Sequence, residues 1–144
     1  MTTAPTIHAT AVLTGAKALL IRGEAGSGKS RLALRLIQTL PFARLIGDDR
    51  VHVEAQNGRL LVRPAETLAG LIEVRGLGIR RVPHEPVGVT GWVLDLVPEA
   101  DRLQGPAGTE ASISGVILPR FVLPSGADPL PGILAALGGG ACDD

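Results

Sequence analysis

The chain has 144 residues, of which 45% are hydrophobic and 2% aromatic, and its 14 Lys and Arg balance its 14 Asp and Glu. The length predicts a single domain over 1–144, and the balanced charge disfavours binding to nucleic acid or to an anionic membrane. The lone Cys142 excludes an internal disulfide. The apolar runs are shorter than a membrane span and the first cation is Lys17, so we expect no signal peptide, no membrane partner and a cytoplasmic location.

The first third of the sequence predicts two strands, a glycine-rich loop and a helix. Apolar runs at 7–13 and 18–21 flank the turn "TGAK" and predict a hairpin. Residues 23–28 form the loop, and apolar residues at helical spacing predict a helix over 30–40, which Pro41 ends.

The middle of the sequence favours strands. A short strand at 45–46 leads into "GDDR", and the runs 51–55 and 59–62 flank "QNG", a hairpin signal. A short helical turn is predicted at 65–69. The stretch "GLIEVRGLGI" predicts a strand that enters a Gly-x-Gly loop.

The last part adds strands at 90–97 and 112–118 and a helix over 129–137. The predicted class is α/β: a single P-loop domain that has a mixed sheet and a helix after the phosphate loop.

The loop before the helix fits the phosphate-binding pattern G-x-x-x-x-G-K-[ST]. Glycines let backbone N–H groups point at phosphate oxygens, and the N-terminus of the helix adds positive potential. Lys29 is expected to reach the β- and γ-phosphates, and the Ser30 hydroxyl is expected to bind Mg²⁺. The alternative is a glycine-rich turn that has no ligand. The predicted nucleotide-binding residues are Gly23, Glu24, Ala25, Gly26, Ser27, Gly28, Lys29 and Ser30.

Asp48 and Asp49 follow the short strand after that helix. In phosphoryl transfer such a carboxylate holds Mg²⁺ or orients the nucleophile. Two adjacent carboxylates repel, which would raise one pKa and suit that group to take and return a proton. The alternative is a turn with two solvated aspartates.

In "EVRGLGIRR" a carboxylate, Glu73, precedes a Gly-x-Gly loop. The carboxylate could serve as a metal ligand, and the loop could let an acceptor come close. An ordinary turn is the equally weighted alternative. The predicted acceptor loop comprises Arg75, Gly76, Leu77 and Gly78.

His8 lies on a predicted strand, where a single histidine is more often structural than catalytic. Asp101 and Arg102 by themselves indicate a solvated surface pair.

Together these segments resemble the HPr kinase/phosphorylase family, whose members phosphorylate a serine of HPr, the phosphocarrier protein of the bacterial sugar phosphotransferase system. Four stretches carry the resemblance: "IHATAVLTGAKALLIRGEAGSGKS", "LIGDDRV", "LIEVRGLGIRRV" and "ADRL". In the first, His8 precedes Lys29 by 21 positions, as in the family. The third stretch is the most specific to the family.

The resemblance implies catalytic roles for His8 and Lys29, and an acid–base role for one aspartate of the pair. It also implies that Glu73 is a Mg²⁺ ligand and that Arg102 takes part in catalysis. The implied enzyme is a P-loop protein-serine kinase that uses ATP and Mg²⁺, acts on HPr and forms a homo-oligomer. Whether it also catalyses the reverse phosphorolysis stays open.

The chain departs from the family pattern at several points. It resembles shortened members that consist of the catalytic domain only, and Arg31 replaces the glutamate that usually follows the loop serine. The family's loop for phosphorolysis survives only as "LPRFVLP". Two other functions stay open: a small-molecule P-loop kinase, and a nucleotide-sensing regulatory module that transfers nothing.

Overall fold

The computed structural model describes residues 5–65, 69–98, 109–125 and 128–138. These residues form a mixed α/β fold with two helices, α1 (Lys29–Thr39) and α2 (Leu130–Gly138). The strands are β1 (Thr6–Ile7), β2 (Thr10–Leu13), β3 (Ala18–Gly23), β4 (Arg44–Gly47), β5 (Val51–Gln56), β6 (Arg59–Pro64), β7 (Leu71–Val74), β8 (Gly78–Arg81), β9 (Gly88–Val97), β10 (Glu110–Ile113) and β11 (Val116–Pro124).

Nine of the described strands form one mixed sheet in the order β4–β2–β3–β9–β6–β5–β1, and β11 pairs with both β9 and β10. The strands β3, β9 and β11 are parallel, whereas β2 runs antiparallel to both β3 and β4. Consequently β3 and β4 end, and β2 begins, at the same edge of the sheet. We call this the loop edge; Thr10, Gly23 and Gly47 mark it.

Apolar side chains cover both faces of the central strands because these strands are buried on both sides. On β3, Leu19 and Ile21 pack with Leu32 and Leu36 of α1 in one core cluster. Leu20 points to the opposite face and packs in a second cluster with residues of β5, β6, β10 and β11. Helix α1 is thereby fixed against the sheet behind the loop edge.

The α/β class and most predicted elements are confirmed. The strand predicted at 7–13 is wrong as one element: it is divided into β1, which pairs with β5, and β2, which pairs with β3, and His8 lies in a bend between them. Helix α1 begins one residue before the predicted start, and β5 and β6 form the hairpin predicted around "QNG". The predicted strand in "GLIEVRGLGI" is β7, which pairs with β8 in a separate two-stranded sheet. The helical turn predicted at 65–69 falls partly outside the described residues.

The single strand predicted at 112–118 is wrong. A turn at Ser114 and Gly115 divides this segment into β10 and β11, which pair with each other. Both turn residues have positive φ angles, 51° and 81°, as a tight hairpin turn requires. The turn shifts the alternation of buried apolar residues from odd positions, which end at Ile113, to even positions, which begin at Val116. The Ser-Gly dipeptide is itself a turn signal. In the described part of the chain, neither helix is long and apolar enough to cross a bilayer.

Candidate functional site

The glycine-rich loop joins the end of β3 to the start of α1. A Cβ atom at Gly23 would lie 2.5 Å from Ser27 Oγ and 3.0 Å from the Leu96 carbonyl oxygen, so only glycine fits this close approach. Gly28 has a φ angle of 103° directly before the helix, and its carbonyl accepts the first helical hydrogen bond, from Leu32 N–H at 2.9 Å. The loop is therefore a tight turn whose shape depends on its glycines.

Lys29 is the first residue of α1 and is 7% exposed. Its ammonium group donates hydrogen bonds to the carbonyl oxygens of Gly23 at 2.8 Å and Glu24 at 3.2 Å. The side chain thus folds back over the beginning of the loop. This arrangement places a positive charge inside the turn, where an anion held by the loop would meet it.

Asp48 lies directly after β4 and is 7% exposed. Its Oδ1 atom accepts hydrogen bonds from the Thr10 hydroxyl at 2.9 Å and the Ser30 hydroxyl at 2.6 Å. Its Oδ2 atom accepts one from the Glu73 backbone N–H at 3.3 Å. These three donors are neutral, so Asp48 is a buried carboxylate that hydrogen bonds satisfy without neutralising its charge.

The strand topology explains this cluster. Since β2 runs opposite to its neighbours, its first residue, Thr10, lies between the ends of β3 and β4. The Thr10 hydroxyl also accepts a hydrogen bond from the Asp49 backbone N–H at 3.2 Å. Thr10 thereby fixes both aspartates, and Ser30 links Asp48 to the first turn of α1.

Asp49 adopts a left-handed backbone conformation with φ of 70°, which aspartate tolerates better than most residues. Its carbonyl accepts a hydrogen bond from Ala9 N–H at 3.2 Å. The two aspartate side chains consequently enter different environments: Asp48 is buried, whereas 66% of the Asp49 side chain is exposed. Backbone outliers of this kind cluster at functional sites.

His8 lies beside Asp49, with 3.9 Å between His8 Nδ1 and Asp49 Oδ1. On the other side of the ring, Arg50 Nη2 is 2.9 Å from His8 Nε2. Because arginine can only donate, Nε2 accepts, and the proton of a neutral ring is then on Nδ1, facing Asp49. The distance to Asp49 is longer than a direct hydrogen bond, so a third polar group can bind between the two side chains.

The predicted acceptor loop forms the tip of the hairpin β7–β8. Ile72 is buried in the core and anchors the hairpin, while the side chain of Glu73 is exposed. Gly76 and Gly78 both have φ of 86°, so they form a tight turn. Leu77 between them is 61% exposed, which leaves an apolar side chain at the tip of a solvent-facing hairpin.

Most of the predicted site residues meet at the loop edge. Asp48 directly connects Ser30 with the backbone of Glu73, and His8 neighbours Asp49. The acceptor-loop residues lie at the hairpin tip, apart from this contact network. Arg102 lies outside the described residues.

Sequence reasoning missed Thr10 and a second carboxylate cluster. Asp95 on β9 accepts two hydrogen bonds from Arg22, at 2.8 and 2.9 Å, and one from Arg120 at 2.5 Å. The three side chains come from the neighbouring strands β3, β9 and β11. For Thr10, the available signal was a hydroxyl in an otherwise apolar strand two residues after His8. The Asp95 cluster left no signal because its members are far apart in sequence.

The oxygen-bearing side chains near the glycine loop suit a hard divalent cation. In the described residues there is no group of three or more His, Cys, Asp or Glu that could hold a metal ion. A cation here would therefore depend on the Ser30 hydroxyl, on Asp48 or Glu73, and on oxygens of a bound phosphate. Such a donor set fits Mg²⁺, which usually binds one or two protein carboxylates together with phosphate and water.

Comparisons with known proteins identify the family. The profile of the HPr Serine kinase C-terminal domain matches residues 1–85. An HPr kinase/phosphorylase of Limosilactobacillus reuteri (strain DSM 20016) is 34% identical over 131 residues, 82% of this chain and 40% of the relative. One of Clostridium tetani (strain Massachusetts / E88) is 45% identical over 65 residues, 45% of this chain and 21% of the relative.

A solved structure of the Hpr(Ser) kinase/phosphatase from Coxiella burnetii has a TM-score of 0.77 and 25% identity, covering 92% of this chain and 93% of that chain. The chain belongs to the HPr serine kinase C-terminal domain family, which confirms the resemblance seen in the sequence. It spans 40% of the length of the Limosilactobacillus relative.

Proposed function

We propose that the protein transfers the γ-phosphoryl group of Mg-ATP to a serine hydroxyl of HPr. One observation supports this most strongly: Asp48 joins Ser30 of the glycine loop to the β7–β8 hairpin, with Asp49 and His8 exposed beside it. In this proposal, the glycine loop binds phosphate, and Asp49 and His8 act on the hydroxyl proton at the same edge of the sheet. HPr is proposed as the acceptor because the names of the relatives contain it.

The glycine loop would bind the phosphates of ATP. Lys29 now donates to two loop carbonyls at 2.8 and 3.2 Å, and it would exchange these partners for the β- and γ-phosphate oxygens. Backbone N–H groups of the loop and the N-terminus of α1 add further stabilisation. Since the transition state of phosphoryl transfer is loose, such positioning and charge account for most of the rate.

Ser30 and Glu73 would hold Mg²⁺, and Asp48 would orient the Ser30 hydroxyl. When bound, the metal ion would neutralise charge on the transferring phosphoryl group. Among the described residues, Asp48 accepts hydrogen bonds only from neutral groups, so its negative charge favours a cation in this position.

Asp49 would be the general base. It is the exposed member of the pair, so a serine hydroxyl from a partner can reach it, and His8 lies at 3.9 Å on the same side. The hydroxyl proton passes to the Asp49 carboxylate, the serine oxygen bonds to the γ-phosphorus, and the bond to the β-phosphate oxygen breaks to release ADP. In the reverse phosphorolysis, which we propose as a further possibility of the same site, Asp49 would return the proton.

The exposed β7–β8 tip would contact HPr. Arg75 and Leu77 present a charge and an apolar side chain at a turn that two glycines keep narrow. We also propose that the chain assembles into a homo-oligomer. A cytoplasmic location is proposed because the acceptor belongs to the sugar phosphotransferase system.

The test is transfer of phosphate to purified HPr, measured by the mass gain of HPr after incubation with Mg-ATP and the protein. We expect a gain of one phosphate with the wild type and none with Lys29→Ala. Asp49→Asn should keep ATP binding but lose on the order of 10²–10⁴-fold in transfer rate, the usual contribution of a positioned base.

An absent mass gain with the wild type, or an equal gain with Lys29→Ala, would refute the kinase proposal. ATP consumption that needs a small hydroxylated metabolite instead of HPr would favour a small-molecule kinase. ATP binding without consumption under all conditions would favour a regulatory module. Full transfer by Asp49→Asn would exclude Asp49 as the base.

A further inference from the structure

A cleft of about 270 Å³ adjoins the glycine loop. Ser27 and Gly28 of the loop form one end, the first two turns of α1 form a wall, and Ser125 and Asp128, before α2, form the opposite wall. Because Ser27 and Gly28 belong to both the loop and the cleft, a ligand that leaves the loop on this side enters the cleft directly.

Two arginines give the cleft a net positive charge. Arg31 and Arg35 are one helical turn apart, so their side chains lie on the same face of α1, and both line the cleft. Arg35 Nη1 pairs with Asp128 Oδ1 at 2.5 Å. Hydrogen bonds from Arg35 and from the Leu130 N–H, with the nearby charge of Arg31, lower the pKa of Asp128. Asp128 therefore stays ionised and compensates one of the two cations.

The second cation, Arg31, reaches back toward the loop. Its Nη2 atom lies 3.6 Å from the position that a Cβ atom would occupy at Gly28, whereas Arg35 is held by Asp128. Arg31 is thus the guanidinium available to an anion at the junction of the loop and the cleft.

The size and lining of the cleft fit one segment of a nucleotide. Its volume is slightly below the roughly 300–1,000 Å³ of pockets that enclose a whole ligand. The guanidinium of Arg31 suits a phosphate, and the Asp128 carboxylate with the Ser125 hydroxyl can bind sugar hydroxyls. Leu32 and Pro129 add apolar surface for the sugar ring.

We propose that Arg31 selects a nucleoside triphosphate over pyrophosphate as the phosphate donor, by contacting the α-phosphate while the cleft receives the ribose. The inference rests on the proposed function, in which the loop holds the β- and γ-phosphates. A donor bound in this way extends past Gly28 into the cleft. Pyrophosphate ends within the loop and gains no contact with Arg31.

The test is calorimetric titration of the full chain with Mg-ATP and, separately, with Mg-pyrophosphate. Arg31→Ala is expected to weaken Mg-ATP binding by about tenfold or more, the loss typical of a hydrogen bond between charged groups. The affinity for Mg-pyrophosphate should stay within about twofold, because a solvent-screened charge beyond contact contributes little.

Arg59→Ala is the matched control, since it removes the same charge at the far end of the β5–β6 hairpin. The six residues of β5 place that end roughly 20 Å from the start of the strand. This variant should bind both ligands as the wild type does. Arg31 is exposed, so its variants should fold; should Arg31→Ala unfold, judged by circular dichroism, Arg31→Gln keeps most of the side chain and serves in its place.

If the Arg31 variant loses affinity for both ligands equally, or for neither, the selection by Arg31 is overturned while the proposed function stays intact. Wild-type protein that binds Mg-pyrophosphate as tightly as Mg-ATP would overturn it as well. Failure of the wild type to bind either ligand would refute the proposed function itself, and with it this inference.

Discussion

Two buried carboxylates on the same sheet, Asp48 and Asp95, have opposite electrostatic surroundings. They are 7% and 8% exposed. Asp95 accepts all of its three hydrogen bonds from arginines, whereas Asp48 accepts its three from two hydroxyls and one amide. Burial raises the pKa of Asp95, but the hydrogen bonds from Arg22 and Arg120 outweigh burial and hold the pKa below its ordinary value.

Under the proposed function, Asp95 is a carboxylate that stabilises the fold and Asp48 is one that serves the bound cation. Asp95 on β9 forms ion pairs with Arg22 on β3 and Arg120 on β11, so its charge stabilises the packing of three neighbouring strands. In the described part of the chain, Asp48 meets only neutral hydrogen-bond donors. This arrangement is costly for the folded protein by itself and useful if a cation binds nearby. We therefore expect replacement of Asp95 to affect folding and replacement of Asp48 to affect binding.

Asp95→Ala should have the largest effect on stability. It leaves two guanidinium groups without their carboxylate, and we expect a loss of about 3 kcal/mol in the free energy of unfolding, at the low end for a broken buried ion pair because Arg22 is one-third exposed. Urea denaturation followed by the fluorescence of Trp92, the single tryptophan, measures this loss.

The matched control is Glu54→Ala, which removes the 2.8 Å ion pair with Arg63, whose two side chains are 40% and 42% exposed. Its effect should be much smaller, since solvent screens that pair. Similar losses in the two variants would show that the Asp95 cluster is no more important for folding than a surface ion pair.

Asp48→Asn should have an intermediate effect, mainly on metal-dependent binding. The amide oxygen can still accept from Thr10 and Ser30, but the amide nitrogen would face the Glu73 N–H, so the free energy of unfolding should fall by about 1–2 kcal/mol. The affinity for ATP in the presence of Mg²⁺ should fall by about tenfold, because the variant lacks the charge that favours the cation. Titration of ATP with and without Mg²⁺ separates the metal-dependent part of the affinity from the metal-independent part. If Mg²⁺ raises the affinity of the variant as much as that of the wild type, Asp48 does not favour the cation.

The smallest effect concerns acid stability. Because the pKa of folded Asp95 lies below its ordinary value of 3.8, its contribution is complete well above that pH and is lost as the pH falls toward the folded-state pKa. The unfolding free energy of the wild type should therefore decrease more steeply below about pH 4 than that of Asp95→Asn. Parallel pH profiles for the two proteins would mean that Asp95 titrates normally.

Much of the site was predictable because its residues follow strands. The spacing of Gly23, Gly28, Lys29 and Ser30 depends on local backbone geometry, and the helix begins at Lys29, one residue before the predicted start. The ends of two strands that run in the same direction meet at one edge of a sheet, so an acidic pair after β4 could be expected near the loop. The hairpin turn at Ser114 was missed, although the Ser-Gly dipeptide favours a turn and interrupts the alternation of buried residues there.

The sequence by itself determined the α/β class, the glycine loop with its helix and the family of the protein, since these depend on local patterns of residues. Tertiary structure alone decided the different environments of Asp48 and Asp49. The antiparallel β2 places Thr10 against the pair, and the left-handed conformation at Asp49 turns its side chain to solvent while Asp48 stays buried. It also decided the Asp95 cluster and the cleft at Arg31, because both join residues that are distant along the chain and meet only through strand pairing and helix packing.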